Sequence, residues 1–304
     1  MSEPDRNTRQ AAAVGFLSLA TAAAVFAILI WGGSPMVTKV GTRSVDGFSL
    51  ALMRTVGAVP FALVLIVVMR LALPWRGRDL IDLIGLAVTG LIGFPMLFTL
   101  GVSLTTAGHA AVAQASTPIF AGLLEAAVNR RWPALRWWLG ISIGFAGAVI
   151  LIAEAVGIDG SSATWQGDLL VIGGAFSASV SFLFGARLIP RFGAPAATLW
   201  SVVVAGIILL PVLLLQVTRQ ELAEITPVGW AVLLYLAAGA SILAYVTWFY
   251  AISRGGIGRM SVWHFALPVV GVFLAAAVID EPLTPLLTAA TVVILIGVGL
   301  VQRR

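Results

Sequence analysis

The chain has 304 residues, of which 60% are hydrophobic and only 10% are charged. Because a soluble domain carries about 25% charged residues, this composition excludes an ordinary soluble fold and indicates an integral membrane protein. The net charge of +5 comes from arginines scattered between apolar runs, a pattern typical of membrane orientation rather than of nucleic-acid binding. The chain has no cysteine and only two histidines, His109 and His264, so we expect no metal site and no cofactor.

In chain order, successive apolar runs reach the roughly 20 residues that a membrane helix needs. The first run follows ten polar residues and is too long for a signal-peptide core, so we expect it to stay as a membrane helix. Short breaks rich in Arg, Gly, Pro or Asp separate the runs and leave no room for a soluble domain. The ten predicted spans are residues 11–38, 47–70, 79–101, 108–129, 135–154, 166–189, 195–217, 227–251, 258–279 and 284–302.

The basic residues beside these spans predict the orientation of the chain. Fourteen Lys and Arg residues lie on the side that holds the N-terminus and three lie on the other side, with Arg54 inside the second span. Because basic residues are retained on the cytoplasmic side, we expect both termini to be cytoplasmic, in a cell inner membrane.

The two halves of the chain align without gaps at an offset of 150 residues. Between residues 103 and 128, eight of 26 positions are identical, and they include the pair Pro118 and Pro268. Five spans in each half place the second half upside down relative to the first. We therefore predict an all-α integral membrane fold of ten transmembrane helices, built from two inverted five-helix repeats at 1–150 and 151–304. Inverted repeats are typical of secondary transporters, which bind their substrate near the membrane midplane.

Three motifs then relate the sequence to a known family. They are Trp31-Gly32-Gly33-Ser34-Pro35-x-x-x-Lys39, Arg54 at the start of the second span, and the stretch from Gly258 through Pro268 to Asp280-Glu281-Pro282-Leu283. On these motifs the chain resembles the drug/metabolite transporter superfamily, in its ten-helix EamA-like branch, over nearly its whole length. It departs from the family pattern at Asn129-Arg130-Arg131, where an acidic residue is usual. Within the branch it is most similar to amino-acid exporters, including those for aromatic amino acids.

The resemblance implies that spans one to four and six to nine surround a central cavity, with spans five and ten at the periphery. Several polar and aromatic residues could face such a cavity. Prolines within spans four and nine release backbone polar groups, and Gln114 and His264 share one repeat position beside them. Packing of the helix core is the alternative role for these residues. The predicted substrate-binding residues are Trp31, Ser34, Phe98, Gln114, Thr117, Pro118, Tyr245, Trp248, Trp263, His264 and Pro268.

Two charged residues within spans need separate interpretations. We expect Arg54 to be a structural anchor bonded to helix-end carbonyls, and contact with a substrate carboxylate is the alternative. We expect Glu125 to pair with Arg130 or Arg131, and a proton site is the alternative. Because no pair of carboxylates lies near a predicted midplane, transport is expected to be facilitated rather than ion-coupled.

These observations predict an inner-membrane exporter of small neutral amino acids, including aromatic ones, that works by alternating access. An exporter of drugs or of another metabolite on the same fold is the alternative. The expected partners are the amino-acid substrate and the lipid bilayer, without nucleic acid, and a monomer is compatible with the sequence. An enzyme is not expected, because Gly239-Ala240-Ser241-Ile242 falls short of a nucleophile motif and no nucleotide-binding loop occurs.

Overall fold

The computed structural model describes residues 19–105, 110, 113–156, 164–216, 219–271 and 285–302. All regular secondary structure in these ranges is helical, so the prediction of an all-α chain is confirmed for them. The predictions made for the first ten residues, for His109 and for Asp280-Glu281-Pro282 fall outside the described residues. The number of membrane crossings, ten, and the inversion of the two halves remain predictions.

The helices follow the predicted spans closely. They are α1 (Leu19–Gly41), α2 (Gly47–Met69), α3 (Gly77–Leu104), α4 (Thr117–Asn129), α5 (Leu135–Val156), α6 (165–192), α7 (194–216), α8 (Pro227–Gly255), α9 (257–271) and α10 (Pro285–Gln302). A short helix, Arg219–Glu224, precedes α8. Within the described residues, α1, α2, α3, α8 and the joined α6–α7 stretch are long and apolar enough to cross a bilayer.

A single glycine separates α6 from α7. The two helices form one stretch of 52 residues, Trp165–Gln216, in which Gly193 alone has non-helical angles, φ 79° and ψ 160°. Only glycine adopts such a positive φ without steric cost, and Pro195 just beyond it lacks a backbone N–H. The predicted break at Arg191-Phe192-Gly193 therefore lies where the chain changes direction.

Polar caps define the starts of two further helices. The Asp46 carboxylate accepts hydrogen bonds from the backbone nitrogens of Phe48 (2.9 Å) and Ser49 (3.0 Å) at the start of α2. At the start of α8, the Thr226 hydroxyl accepts from the nitrogen of Gly229 (3.1 Å). Each cap satisfies donors that have no partner inside the helix, which explains why the helices begin there.

Helices α3 and α8 each contain a π-helical segment, which the sequence did not predict. The segments are Ala87–Gly93 and Tyr235–Leu243. They end 150 residues apart, which is the offset of the sequence repeat. In the second segment the Ser241 hydroxyl donates to the Leu236 carbonyl five residues earlier (2.8 Å). Such wide turns are rare and occur frequently at functional sites.

Helices α5 and α10 pack against each other through small residues. A Cβ atom placed on Gly297 would lie 2.5 Å from the backbone nitrogen of Gly144, so the two backbones are in close approach. The Gly140-x-x-x-Gly144 motif is therefore a helix-packing face, as expected for such a spacing in membranes. With Phe265 of α9, these helices form a hydrophobic cluster separate from the main core.

Candidate functional site

Five buried rings from four helices meet in the interior. This aromatic cluster comprises Trp31 of α1, Phe182 of α6, Tyr245 and Trp248 of α8, and His264 of α9, all at most 5% exposed. The rings of Trp248 and His264 are nearly perpendicular at 4.4 Å between centroids. Trp31 contacts Tyr245 at 5.2 Å, and Phe182 contacts Trp248 at 5.4 Å. These distances are those of favourable edge-to-face and tilted aromatic pairs.

Hydrogen bonds to the backbone fix three of these side chains. Trp31 Nε1 donates to the carbonyl of Ala240 (2.9 Å), and the Tyr245 hydroxyl donates to the carbonyl of Gly90 (2.6 Å). Both acceptors lie in the π-helical segments. His264 Nδ1 lies 3.1 Å from the carbonyl of Ser261. Since a carbonyl can only accept, this bond places a proton on Nδ1, and Nε2 of the neutral ring can accept from another group.

Three of the predicted site residues carry a buried polar atom that has no hydrogen-bond partner among the described residues. These atoms are Nε1 of Trp248, Nε1 of Trp263 and Oε1 of Gln114. Leaving a buried donor or acceptor unpaired costs about 1–3 kcal/mol, so such atoms are rare unless water or a ligand satisfies them. The indole nitrogens can donate and the amide oxygen can accept, and a solute with both kinds of polar group could use them.

The structure brings four of the predicted site residues into one cluster. Trp31, Tyr245, Trp248 and His264 share the cluster. Ser34 lies one turn after Trp31 and its hydroxyl is 3.5 Å from the carbonyl of Ile30. Phe98 contacts the ring of Phe94 at 5.4 Å within α3, and no ring contact joins it to the cluster within the described residues.

The two predicted prolines both follow irregular helical turns. Pro118 lies at the start of α4, directly after a turn, and Pro268 follows the 3₁₀ segment Ser261–Phe265. The carbonyl of Thr117 accepts from the hydroxyl of Ser179 on α6 (3.1 Å). Each proline is buried. Their contribution to a substrate site remains a prediction.

Sequence reasoning missed one member of the cluster. Phe182 contacts Trp248, His264 at 5.9 Å and Phe249 at 6.4 Å, and it is 1% exposed. A signal was present, because at the repeat offset Phe182 corresponds to Gly32, the residue after Trp31. Applying the repeat to span one would have placed Phe182 beside the site.

A cavity of about 900 Å³ lies near the helix ends that carry most arginines, here named the basic end. Residues of α4, α6 and α8 line it, among them Glu125, Arg187, Val246, Thr247 and Tyr250. None of the predicted substrate-binding residues lines it. Val246 and Thr247 lie between Tyr245 and Trp248 in the chain, so the cavity and the aromatic cluster adjoin the same turns of α8.

Glu125 caps a helix beside this cavity. Its two carboxylate oxygens accept from the backbone nitrogens of Ile257 (3.2 Å) and Gly258 (2.6 Å), at the start of α9. A carboxylate at this position is stabilised by the helix dipole and satisfies two free N–H groups. The expected pairing of Glu125 with Arg130 or Arg131 is therefore wrong, because the carboxylate is bonded across the bundle to α9.

The structure also corrects the expectation for Arg54. Its side chain is 2% exposed, yet Nε and Nη1 have no hydrogen-bond partner among the described residues. The neighbouring Thr55 makes the contact with the next helix, since its hydroxyl donates to the carbonyl of Leu91 (3.1 Å). Arg54 is therefore not anchored through those two nitrogens to helix-end carbonyls.

Different contacts hold the two ends of the bundle. At the basic end, Arg187 pairs with Asp82 at 3.3 Å and Arg191 pairs with Asp79, which joins α6 to the start of α3. At the other end, Lys39 Nζ donates to the carbonyls of Val102 (3.1 Å) and Thr105 (2.9 Å). This lysine thus ties α1 to the last turn of α3.

Comparisons with known proteins identify the family. The sequence profile of the EamA-like transporter family matches residues 18–153 and again 165–303. An uncharacterized transporter of Archaeoglobus fulgidus is 28% identical over 84% of this chain and 87% of its own length. The uncharacterized inner membrane transporter YedA of Escherichia coli K12 is 27% identical over 91% of this chain and 89% of its own. One known crystal structure superposes with a TM-score of 0.76 over 93% of this chain and 96% of that one, at 18% identity, which shows a shared fold.

Proposed function

Because this chain belongs to the EamA-like transporter family, we propose that it exports small neutral amino acids with apolar or aromatic side chains across the inner membrane. Family membership makes the protein a membrane transporter and not an enzyme. The amino-acid cargo and the inner membrane are our inference, the latter supported by the name of YedA.

The aromatic cluster is the observation that carries this proposal. It offers rings for an apolar side chain, and Nε1 of Trp248 within it has no hydrogen-bond partner among the described residues. Burial of apolar area contributes about 25 cal/mol per Å², and a stacked ring adds about 0.5–1.5 kcal/mol. Modest affinity suits a carrier that must also release its substrate.

The cavity at the basic end supports a route to the cluster. Its volume of about 900 Å³ is within the range of small-molecule sites, about 300–1,000 Å³. In the proposed cycle, a solute enters this cavity, moves past Val246 and Thr247, and displaces the packing of the cluster rings. The contacts of Lys39 with the end of α3 then open to release it on the other side.

We also propose that ten membrane helices form two inverted repeats, and paired contacts support this arrangement. Trp31 bonds to Ala240, and Ser181 lies against Gly90. At the 150-residue offset, Trp31 corresponds to Ser181 and Ala240 corresponds to Gly90, so each of these two contacts maps onto the other. Gly147 with Ile294 and Gly297 with Gly144 form a second such pair. A two-fold relation between the halves produces contacts of this kind.

Both termini are cytoplasmic in this proposal, which rests on the distribution of arginine. The chain has no cysteine, so single cysteines can be introduced for labelling. Trp132→Cys, at a position 83% exposed at the basic end, should react with an impermeant maleimide only after the cells are opened. Labelling of this cysteine in intact cells would show that the basic end faces outwards, which contradicts the proposed orientation.

Transport without ion coupling is the simplest mechanism for the side chains at the cavity and the aromatic cluster. Glu125, the acidic residue beside the cavity, is bonded to two backbone nitrogens, and the aromatic cluster contains no carboxylate. An exporter of drugs on the same fold is the alternative. A cationic drug would need an acidic group in the cluster, which makes it the weaker candidate.

Removal of one cluster ring should change selectivity. Trp248→Ala should reduce proteoliposome counterflow of phenylalanine about tenfold more than that of alanine, because the larger side chain loses a ring contact and buried area. Trp132→Ala, which removes an exposed indole, is the matched control and should behave like the wild type. Equal losses for both substrates would mean that Trp248 only packs the core.

A further inference from the structure

We propose that Arg54 binds the carboxylate of the transported solute. This inference rests on the proposed function, since it assigns one end of the substrate to one residue of the transporter. It replaces the structural role that the sequence favoured for this arginine.

The first argument is the state of the guanidinium. Arg54 lies within α2 and is 2% exposed, and Nε and Nη1 have no hydrogen-bond partner among the described residues. A buried charge is normally paired and hydrogen-bonded, because burial removes the water that stabilises it. The guanidinium is planar and carries five N–H donors, a geometry that suits the two oxygens of a carboxylate.

The second argument is the identity of the neighbours. The ionisable groups with which Arg54 interacts electrostatically are the phenols of Tyr245 and Tyr235. Both hydroxyls already donate to backbone carbonyls, Tyr245 to Gly90 (2.6 Å) and Tyr235 to Ile30. Neither phenol supplies a negative charge while it is protonated. The positive charge of Arg54 is therefore uncompensated within the described part of the chain.

The third argument is the backbone around the arginine. Thr55 bonds to Leu91 in the π-helical segment of α3, and Tyr235 begins the corresponding segment of α8. Arg54 thus lies between the two π-helical segments. Such segments are frequent at functional sites, and their irregular hydrogen bonding lets a helix adjust locally. This gives the enclosed arginine a means of becoming accessible during transport.

The position of Tyr245 selects an organic carboxylate over a simple anion. Its hydroxyl is within electrostatic reach of Arg54, and its ring contacts Trp31 of the aromatic cluster at 5.2 Å. One side chain therefore spans the distance from the guanidinium to the cluster. A solute with a carboxylate at one end and an apolar group at the other would match both sites together.

A pair of near-isosteric probes tests the assignment. Binding of 3-phenylpropionate and of uncharged 3-phenylpropionamide to the purified protein is followed by tryptophan fluorescence. The wild type should bind the acid at least about tenfold more tightly than the amide, a typical margin for a charge-assisted pair. Arg54→Gln and the milder Arg54→Lys, which keeps the charge but loses the planar fork, should reduce that ratio towards one. Arg43→Gln, at an exposed arginine near the same end of the bundle, should leave the ratio unchanged.

Equal binding of acid and amide by the wild type would overturn the proposal whether or not either variant folds. An unchanged ratio in a folded Arg54 variant would overturn it as well. The test separates this inference from the proposed function. If amino acids are carried but the probes bind equally, the assignment of Arg54 alone fails. If no amino acid is carried but Arg54 governs binding of the acid, the assignment stands and the amino-acid cargo is wrong.

Discussion

Tyr245 joins the main features of the site, because it contacts the aromatic cluster and bonds to a π-helical carbonyl of another helix. Its spacing from Trp248 on one helical face allowed it to be selected from the sequence, and the repeat register selected His264. Partners across the bundle were harder to predict. Glu125 bonds to the start of α9, and Arg54 interacts electrostatically with the phenols of Tyr245 and Tyr235. Both arrangements depend on which helices meet, which the order of residues does not specify.

The hydroxyl of Tyr245 should contribute to stability. Tyr245→Phe removes only the donor to the carbonyl of Gly90 and leaves a buried acceptor without its partner. The free energy of unfolding, measured by denaturant titration in detergent, should fall by about 1–3 kcal/mol. Tyr250→Phe, at a half-buried residue of the same helix that lines the cavity, is the control and should stay within about 0.5 kcal/mol. Equal changes in the two variants would contradict a stabilising role for this bond.

At the level of helices, sequence signals located the breaks well and missed the internal irregularities. The break at Gly193 and the cap at Asp46 coincide with turn residues that were visible in the sequence. The π-helical segments carry no comparable signature. Their mostly small and aliphatic residues also occur in ordinary membrane α-helices, and tertiary packing decides between the two forms. The small-residue face of α5 packs against α10, a partner that the sequence does not specify.

The glycine contact between α5 and α10 should be sensitive to one added methyl group. Gly297→Ala places a Cβ 2.5 Å from the backbone of Gly144, so the helices must separate, at a cost of about 1–3 kcal/mol. Gly299→Ala, two residues further along α10, meets nothing within 4 Å and is a matched control. Thermal unfolding in detergent should show a loss for Gly297→Ala only. A loss of similar size in both variants would mean that α10 does not depend on this close approach.

For the whole molecule, composition and motifs were sufficient to predict the class of protein. The EamA-like family, the transporter class and the absence of enzymatic activity are confirmed by the matches over both halves. The cargo remains a prediction, because the relatives at 27–28% identity carry no substrate in their names. The orientation and the inversion of the repeats remain predictions as well. Cargo depends on a few side chains in the centre, and those vary without changing the fold.

Counterflow in proteoliposomes tests the amino-acid assignment most directly. Vesicles loaded with unlabelled phenylalanine should accumulate labelled phenylalanine, and bulky neutral amino acids should compete better than small or charged ones. The signal should persist when the pH gradient is collapsed, since no proton site is needed. A cationic dye should not compete. Failure of all twenty amino acids to compete, together with competition by the dye, would contradict the amino-acid assignment and identify a drug exporter.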